Sequence, residues 1–181
     1  MSIVALPGVP PSLLGESPLW HPAEHVRYSC DIPCHSLNRY DPRTGVHQRW
    51  PFDTDVACCA PMQGGGLLLA LRSGLVHFDP RTGRSRPLCD APYDAAEERF
   101  NDGKADPQGR MWVGTIYEPR DPALAALYCW SEGELSKKAE GITVSNGLAF
   151  SPDARTMYWS DTKAHTVYAF DFDRDHGTLS A

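Results

Sequence analysis

An internal repeat constrains the fold of this chain more than any other feature of its sequence. The segment YDPRTG at residues 40–45 recurs as FDPRTG at residues 78–83, and a weaker copy with FDFD begins at residue 170. Each copy has an aromatic residue followed by Asp, Pro and Gly, which favours the end of a β-strand leading into a tight turn. The chain is therefore predicted to be built from similar β-rich units.

A second repeated pattern interleaves with the first and sets the length of the unit. Segments that read as strand, turn and strand begin near residues 16, 59, 101 and 146, so the period is about 40–45 residues. Apolar residues do not recur with helical spacing, and short β-rich runs bounded by turn residues dominate. Four such units predict four blades of a β-propeller, each with four strands.

The composition excludes several classes of protein. The chain has 181 residues, 41% of them hydrophobic, and a formal net charge of -6, which argues against a nucleic-acid partner. It contains no apolar run long enough to cross a membrane, and its first residues lack the basic and apolar regions of a signal peptide. We therefore expect a cytoplasmic protein whose six cysteines are reduced thiols.

Polar residues at the start of three units are the candidate metal ligands. The innermost strands of a propeller line a central channel, so equivalent residues of successive blades converge there. Glu16, Asn101 and Asn146 stand at or just before these strands, and they would bring hard oxygen atoms to one axis. Such ligands suit calcium, magnesium or manganese and tolerate zinc. Each asparagine alone could equally be a turn residue, because Asn is common in turns.

Three segments carry a resemblance to a known family. GESPLW at residues 15–20, RFNDGK at residues 99–104 and SNGL at residues 145–148 resemble the marker motifs of the gluconolactonase, senescence marker protein (regucalcin) and luciferin-regenerating enzyme family. The similarity runs from about residue 13 to the C-terminus in the family's order. It implies an all-β, six-bladed propeller, of which residues 1–181, a single incomplete domain, cover about four blades.

The resemblance also implies a chemistry and assigns residues to it. One divalent metal (calcium, zinc, manganese or magnesium) would be held by Glu16 and Asn146 together with an aspartate of a later blade. Arg99 and Asn101 would bind the substrate, a sugar lactone that is hydrolysed to the aldonic acid. The later aspartate, which is also the expected general base, lies beyond Ala181, so no catalytic residue is assigned within the chain.

Three other functions remain open at this stage. The propeller could be a calcium-binding regulatory protein without catalysis, a related metal-dependent esterase or phosphotriesterase, or a protein-binding platform. The pattern HPAEH at residues 21–25 matches a zinc-protease motif, but its proline and flanking strands favour a turn. Cys58 and Cys59 are expected at the channel position of the second unit, as small apolar groups. The oligomeric state is not predicted.

The chain is also expected to be a fragment of a longer propeller. Residues 2–6 read as a β-strand, and in closed propellers a leading strand of this kind completes the last blade. Six units would need roughly 240–270 residues. An open ring would leave two blade faces uncovered, and their apolar surface should promote aggregation.

Overall fold

The computed structural model describes residues 5–6 and 8–180, and every regular element within them is a β-strand. Sixteen strands form four sheets of four antiparallel strands each, and within a sheet the strands follow one another in chain order.

Blade 1 consists of β1 (Gly15–His21), β2 (Val26–Asp31), β3 (Ser36–Asp41) and β4 (Val46–Pro51). Blade 2 consists of β5 (Val56–Pro61), β6 (Leu67–Leu71), β7 (Gly74–Asp79) and β8 (Arg84–Asp90). Blade 3 consists of β9 (Glu98–Ala105), β10 (Met111–Tyr117), β11 (Ala125–Ser131) and β12 (Glu134–Ile142). Blade 4 consists of β13 (Ser145–Phe150), β14 (Thr156–Asp161), β15 (Thr166–Asp173) and β16 (Thr178–Ser180).

The repeated hexapeptide forms the outer turn of its blade. In blade 1 the carboxylate of Asp41 accepts the backbone N–H of Arg43 at 2.9 Å, and the equivalent Asp79 in blade 2 accepts that of Arg81 at 2.9 Å. Gly45 closes the first turn with a positive φ of 73° and donates its N–H to the carbonyl of Asp41. The backbone hydrogen bonds that close these turns lie within the hexapeptide, so the same six residues can form the same turn in both blades.

The hydrophobic cores lie between the blades. Three clusters pack blade 1 on blade 2, blade 2 on blade 3, and blade 3 on blade 4. Large side chains fill each cluster, and Tyr28, Phe78, Phe100, Trp112 and Trp159 are almost completely buried. Blades 2 and 3 thus contribute both faces of their sheets to two different cores, whereas blades 1 and 4 contribute one face each, and stability depends on the contacts between neighbouring blades.

The expected all-β propeller with four blades in this chain is confirmed. The predicted turn at residues 21–25 also forms, between β1 and β2. Of the predicted leading strand, residues 2–4 lie outside the described part of the chain, and Ala5 and Leu6 are not in a strand. None of the described residues belongs to a helix that is long and apolar enough to cross a membrane.

The outer faces of blades 1 and 4 carry exposed apolar side chains. On blade 1, 52% of the Trp20 surface is exposed, so this residue does not pack between blades as Trp112 and Trp159 do. On blade 4, Tyr158 and Val167 project from the face opposite the core and are 39% and 66% exposed. Both faces carry apolar side chains, as do the blade faces that a neighbouring blade covers elsewhere in the molecule.

Candidate functional site

The four innermost strands, β1, β5, β9 and β13, contact one another around the axis of the propeller. Each of them pairs irregularly with the second strand of its blade near its beginning. Such β-bulges re-aim side chains and are common beside active sites. The irregular segments of β9 and β13 lie next to each other, because Asn101 and Asp102 form hydrogen bonds with the backbone of blade 4.

One backbone hydrogen bond defines equivalent residues in the four blades. In each blade, the residue that precedes the innermost strand accepts, through its carbonyl oxygen, the N–H of the residue that follows the second strand. The second residue after this acceptor is called the inner position here. The residues at the inner position of blades 1 to 4 are Glu16, Ala57, Arg99 and Asn146.

Blades 1 and 4 match each other at the inner position in further detail. Glu16 pairs with Cys30, Asn146 pairs with Ser160, and the regular pairing stops directly after both residues. In both blades, an aspartate at the end of the second strand accepts hydrogen bonds from the backbone just before the innermost strand. Asp31 accepts the two N–H groups of residues 13 and 14, and Asp161 accepts those of residues 143 and 144.

The sequence-based alignment of Asn101 with Glu16 and Asn146 is wrong by two residues. Arg99 occupies the inner position of blade 3, and Asn101 lies at the bulge, where Phe100 and Asp102 pair with consecutive residues of β10. In blade 2 the inner position is Ala57 rather than Cys58, because the bulge of β5 comes earlier. These shifts come from strand pairing, which the repeat length alone does not reveal.

Cys58 and Cys59 pack between blades instead of lining the channel. Cys59 belongs to the core between blades 1 and 2, whereas Cys58 belongs to the core between blades 2 and 3. Burial is the largest cause that raises the pKa of Cys58 well above its usual value. Both side chains are almost completely inaccessible to solvent, so they act as small apolar groups.

Glu16 presents a partly buried carboxylate that accepts no hydrogen bond from any described residue. Burial raises its pKa, the nearby carboxylate of Asp102 raises it further, and the guanidinium of Arg99 lowers it. A carboxylate that is partly removed from water and has no protein donor is suited to receive a cation. Its neighbours Arg99 and Asp102 come from blade 3, so blades 1 and 3 meet at this point.

Asn146 lies beside the same aspartate. The N–H of Gly147 points to the side-chain oxygen of Asn146 at 3.0 Å and to Oδ2 of Asp102 at 2.9 Å. Asp102 therefore links the surroundings of Glu16 with the segment that carries Asn146. Asp102 of blade 3 thus holds the backbone of blade 4.

Arg99 and Asn101 are held by one another and by blade 4. Nη1 of Arg99 donates to Oδ1 of Asn101 at 2.9 Å, and Nδ2 of Asn101 donates to the carbonyl of Ser145 at 2.8 Å. Arg99 is 8% exposed, and its Nε donates to Glu118 at 3.2 Å. Its Nη2 donates to no described residue and can donate to water or to a bound molecule.

A group of charged residues that the sequence reading missed surrounds Arg99. Glu118 accepts from both nitrogens of the Arg72 fork at 2.9 Å, and Arg72 also binds Asp55 at 2.7 Å. The hydrogen bond from Arg72 is the main cause that holds the pKa of Glu118 below its usual value. Arg72 and Glu118 lie 46 positions apart in the chain, about one blade period. Each of them directly follows the second strand of its blade, so the two residues occupy equivalent places in neighbouring blades.

The oxygen donors of this region fit a hard divalent cation. Glu16 offers a carboxylate without a donor, and Asn146 offers a carboxamide oxygen whose only described partner is the adjacent N–H. Across residues 5–6 and 8–180, no group of three or more His, Cys, Asp or Glu side chains is placed to hold an ion. Glu16 and Asn146 therefore offer oxygen atoms of the type that a hard divalent cation binds.

The chain is similar in sequence to named lactonases and regucalcins. The chain is 40% identical over 166 residues to a 6-deoxy-6-sulfogluconolactonase of Pseudomonas putida, and the match covers 91% of this chain and 57% of that protein. It is 38% identical over 173 residues to the pentonolactonase XacC of Haloferax volcanii, covering 93% of this chain and 56% of the relative. Human regucalcin is 32% identical over 172 residues, covering 92% and 58% respectively.

Solved structures show the same fold. A calcium-binding protein, regucalcin, from Agrobacterium tumefaciens superposes with a TM-score of 0.90 at 26% identity, covering 95% of this chain and 58% of that one. A luciferin-regenerating enzyme superposes with a TM-score of 0.88 at 23% identity, covering 94% and 59%. The chain thus spans less than two thirds of the length of the proteins it matches. Residues 14–181 match the model of the SMP-30/Gluconolactonase/LRE-like region, and the chain belongs to this family.

Proposed function

We propose that the natural protein carrying these residues hydrolyses a sugar lactone to the aldonic acid with the help of one divalent cation. The observation that carries the proposal is the equivalence of Glu16 and Asn146, two oxygen donors at the same inner position of blades 1 and 4. The lactonase names of two relatives, at 40% and 38% identity, support a lactone as the substrate.

In this proposal Glu16 and Asn146 bind the cation, which is calcium, zinc, manganese or magnesium. The bound cation supplies Lewis-acid polarisation of the lactone carbonyl. Hydrolysis adds water to the carbonyl carbon, breaks the bond to the ring oxygen, and leaves the acid and a hydroxyl group. We assign the third ligand and the general base to an aspartate outside residues 1–181, as the family resemblance implies.

Arg99 and Asn101 bind the substrate in this scheme. The unused Nη2 of Arg99 can donate to a sugar hydroxyl or to the oxygen that becomes negative as water adds. Its other nitrogens are tied to Glu118, Phe100 and Asn101, so the guanidinium is oriented before the substrate arrives. Orientation in advance is what makes such donors effective.

The test is lactone hydrolysis by the natural protein with and without chelator. A panel of γ- and δ-aldonolactones is followed by acid release, first with each of the four cations and then with excess chelator. We expect turnover that requires a cation, and we expect Glu16→Gln to reduce cation affinity and turnover together. Asp173→Asn, a distant turn variant in blade 4, is the matched control. Full turnover in chelator would refute the metal-dependent mechanism.

A calcium-binding protein without catalysis is the second candidate. It is favoured by the regucalcin relative at 32% identity and by the hard oxygen donors of Glu16 and Asn146. Calcium binding without turnover of any lactone would support it, and Glu16→Gln should weaken that binding as well. Simple esters and a phosphotriester in the same panel test the related hydrolase activities.

We also propose a cytoplasmic location with a small-molecule partner. All six cysteines are unpaired, including the almost completely buried Cys30 and Cys59, which is usual in a reducing compartment. The net charge of -6 disfavours nucleic acid as a partner. Fractionation of the source cells and detection of the natural protein in the cytoplasmic fraction would test the location.

A further inference from the structure

We propose that Asp102 is a positioning residue that keeps the carboxamide oxygen of Asn146 available for the cation. This inference rests on the proposed function, because it concerns the ligand that Asn146 would provide. Asp102 belongs to blade 3, whereas the segment it holds belongs to blade 4. The contact therefore fixes one candidate ligand by means of a neighbouring blade.

The geometry around Gly147 is the basis of the proposal. The pairing of β13 with β14 is interrupted between Asn146 and Ala149, so the N–H groups of Gly147 and Leu148 lie outside the regular ladder. Oδ2 of Asp102 accepts both, at 2.9 Å and 3.4 Å. Gly147 has a φ of 61°, a left-handed conformation in which a side chain would be strained. The segment is thus held in an unusual path by one carboxylate.

Asp102 competes with Asn146 for one of these protons. The side-chain oxygen of Asn146 lies 3.0 Å from the N–H of its own neighbour, Gly147, so that proton is shared between two acceptors. If Asn146 turned its oxygen towards a cation without Asp102, the N–H of Gly147 would lose its partner. Unpaired backbone donors are costly, and Asp102 satisfies this one in either state.

Blade 3 also holds the other side of Asn146. Nδ2 of Asn101 donates to the carbonyl of Ser145 at 2.8 Å, directly before Asn146, while Asp102 binds the N–H directly after it. The two adjacent side chains of the bulge in β9 therefore bracket the backbone of Asn146. Groups that orient a metal ligand in this way influence metal affinity although they do not touch the metal.

The test measures cation affinity in the natural protein, by calorimetry with calcium and with manganese. We expect Asp102→Ala to weaken binding about 10-fold or more, as is typical for the loss of a group that orients a ligand. Asp102→Asn keeps an oxygen acceptor for Gly147 and should retain most of the affinity. Asp173→Asn removes a carboxylate that also accepts two backbone N–H groups in a distant turn, and it should leave the affinity unchanged. Equal losses in Asp102→Ala and Asp102→Asn would overturn the proposal, because they would indicate an effect of charge alone.

A double-mutant cycle with Asn146→Ala separates positioning from direct attraction. If Asp102 acts through Asn146, Asp102→Ala should cause no further loss of affinity once Asn146 is Ala. Additive losses would overturn the proposal. Amide exchange of Gly147 and Leu148 in the cation-free protein gives an independent result, and it should be faster in Asp102→Ala than in Asp102→Asn. A wild-type protein that binds no cation would refute the proposed function, whereas the exchange rates would still decide whether Asp102 holds this segment.

Discussion

Removal of the Asp161 carboxylate should destabilise blade 4 strongly. This side chain accepts the backbone N–H of Thr143 at 2.9 Å, of Val144 at 3.1 Å and of Lys163 at 3.0 Å. Asp161, Thr143 and Val144 are all buried, so water cannot replace the lost acceptor. A buried donor without a partner costs about 1–3 kcal/mol. Two such donors predict a loss of about 4 kcal/mol for Asp161→Ala, and a smaller loss for Asp161→Asn, which keeps one acceptor oxygen.

Asp31 offers the matched control, because it occupies the same place in blade 1. It accepts the N–H of Leu13 at 3.1 Å and of Leu14 at 3.2 Å, but these residues are 78% and 43% exposed. Water can therefore satisfy both donors, and Asp31→Ala should cost only about 1 kcal/mol. Urea unfolding of both variants at pH 7 measures the two losses. Equal losses, or a larger one for Asp31→Ala, would refute the argument that burial decides the cost.

The pH dependence gives a second check on Asp161. Burial raises its pKa, but the hydrogen bonds from Thr143, Val144, Ala164 and Lys163 outweigh burial and hold the pKa below its usual value. A group whose pKa is lower in the folded state stabilises the protein when it is ionised. Its contribution is complete above the unfolded pKa of about 3.9 and is lost as the pH falls through the folded value. The difference in unfolding free energy between wild type and Asp161→Ala should therefore shrink below about pH 4.

Three further predictions concern packing, binding and solubility. Gly114→Ala should lower the free energy of unfolding by about 1–3 kcal/mol or more, because a Cβ at residue 114 would lie 1.6 Å from Oγ of Ser145. Urea unfolding measures this loss, and unchanged stability would contradict the close approach of blades 3 and 4. Arg99→Ala should lower kcat by about 10²–10³ if Arg99 stabilises the oxyanion, as measured by lactone turnover, and a change in KM alone would assign it to substrate binding only. Val167→Lys on the outer face of blade 4 should reduce aggregation of the 181-residue chain, measured as light scattering at high concentration, since Val167 is 66% exposed. Scattering equal to that of the unchanged chain would show that this apolar face does not cause the aggregation.

Local features of the fold were predictable because their causes lie within a few residues. The turn at residues 40–45 is held by Asp41, which binds a residue two positions away, so its sequence is sufficient to define it. The strands around it alternate with turn residues, and the period of the units is the number of residues between successive repeated segments. Four blades could therefore be inferred without knowledge of any contact between them.

The position of Asn101 was not predictable in the same way. Its offset from the inner position arises from a bulge in β9, where Phe100 and Asp102 pair with consecutive residues of β10. Strand register depends on how two distant segments pack, and one extra residue changes every side chain that follows. The network of Arg72 and Glu118 was missed for a similar reason, since both residues lie in connections between strands that carry no repeated motif.

At the inner position the backbone hydrogen bond is the same in all four blades, but the side chain differs. The same backbone hydrogen bond surrounds it in all four blades, yet the side chain there is a carboxylate in Glu16, a methyl group in Ala57, a guanidinium in Arg99 and a carboxamide in Asn146. By contrast, the outer turns of blades 1 and 2 keep an aspartate, Asp41 and Asp79, because its carboxylate closes the turn. Ala57 packs in the core between blades 2 and 3, whereas Glu16, Arg99 and Asn146 carry polar side chains, so the scaffold does not dictate the residue type at this position. This explains why aligning the repeats alone misplaced the site by two residues in blade 3, since the fixed feature is a hydrogen bond of the main chain and not a residue type.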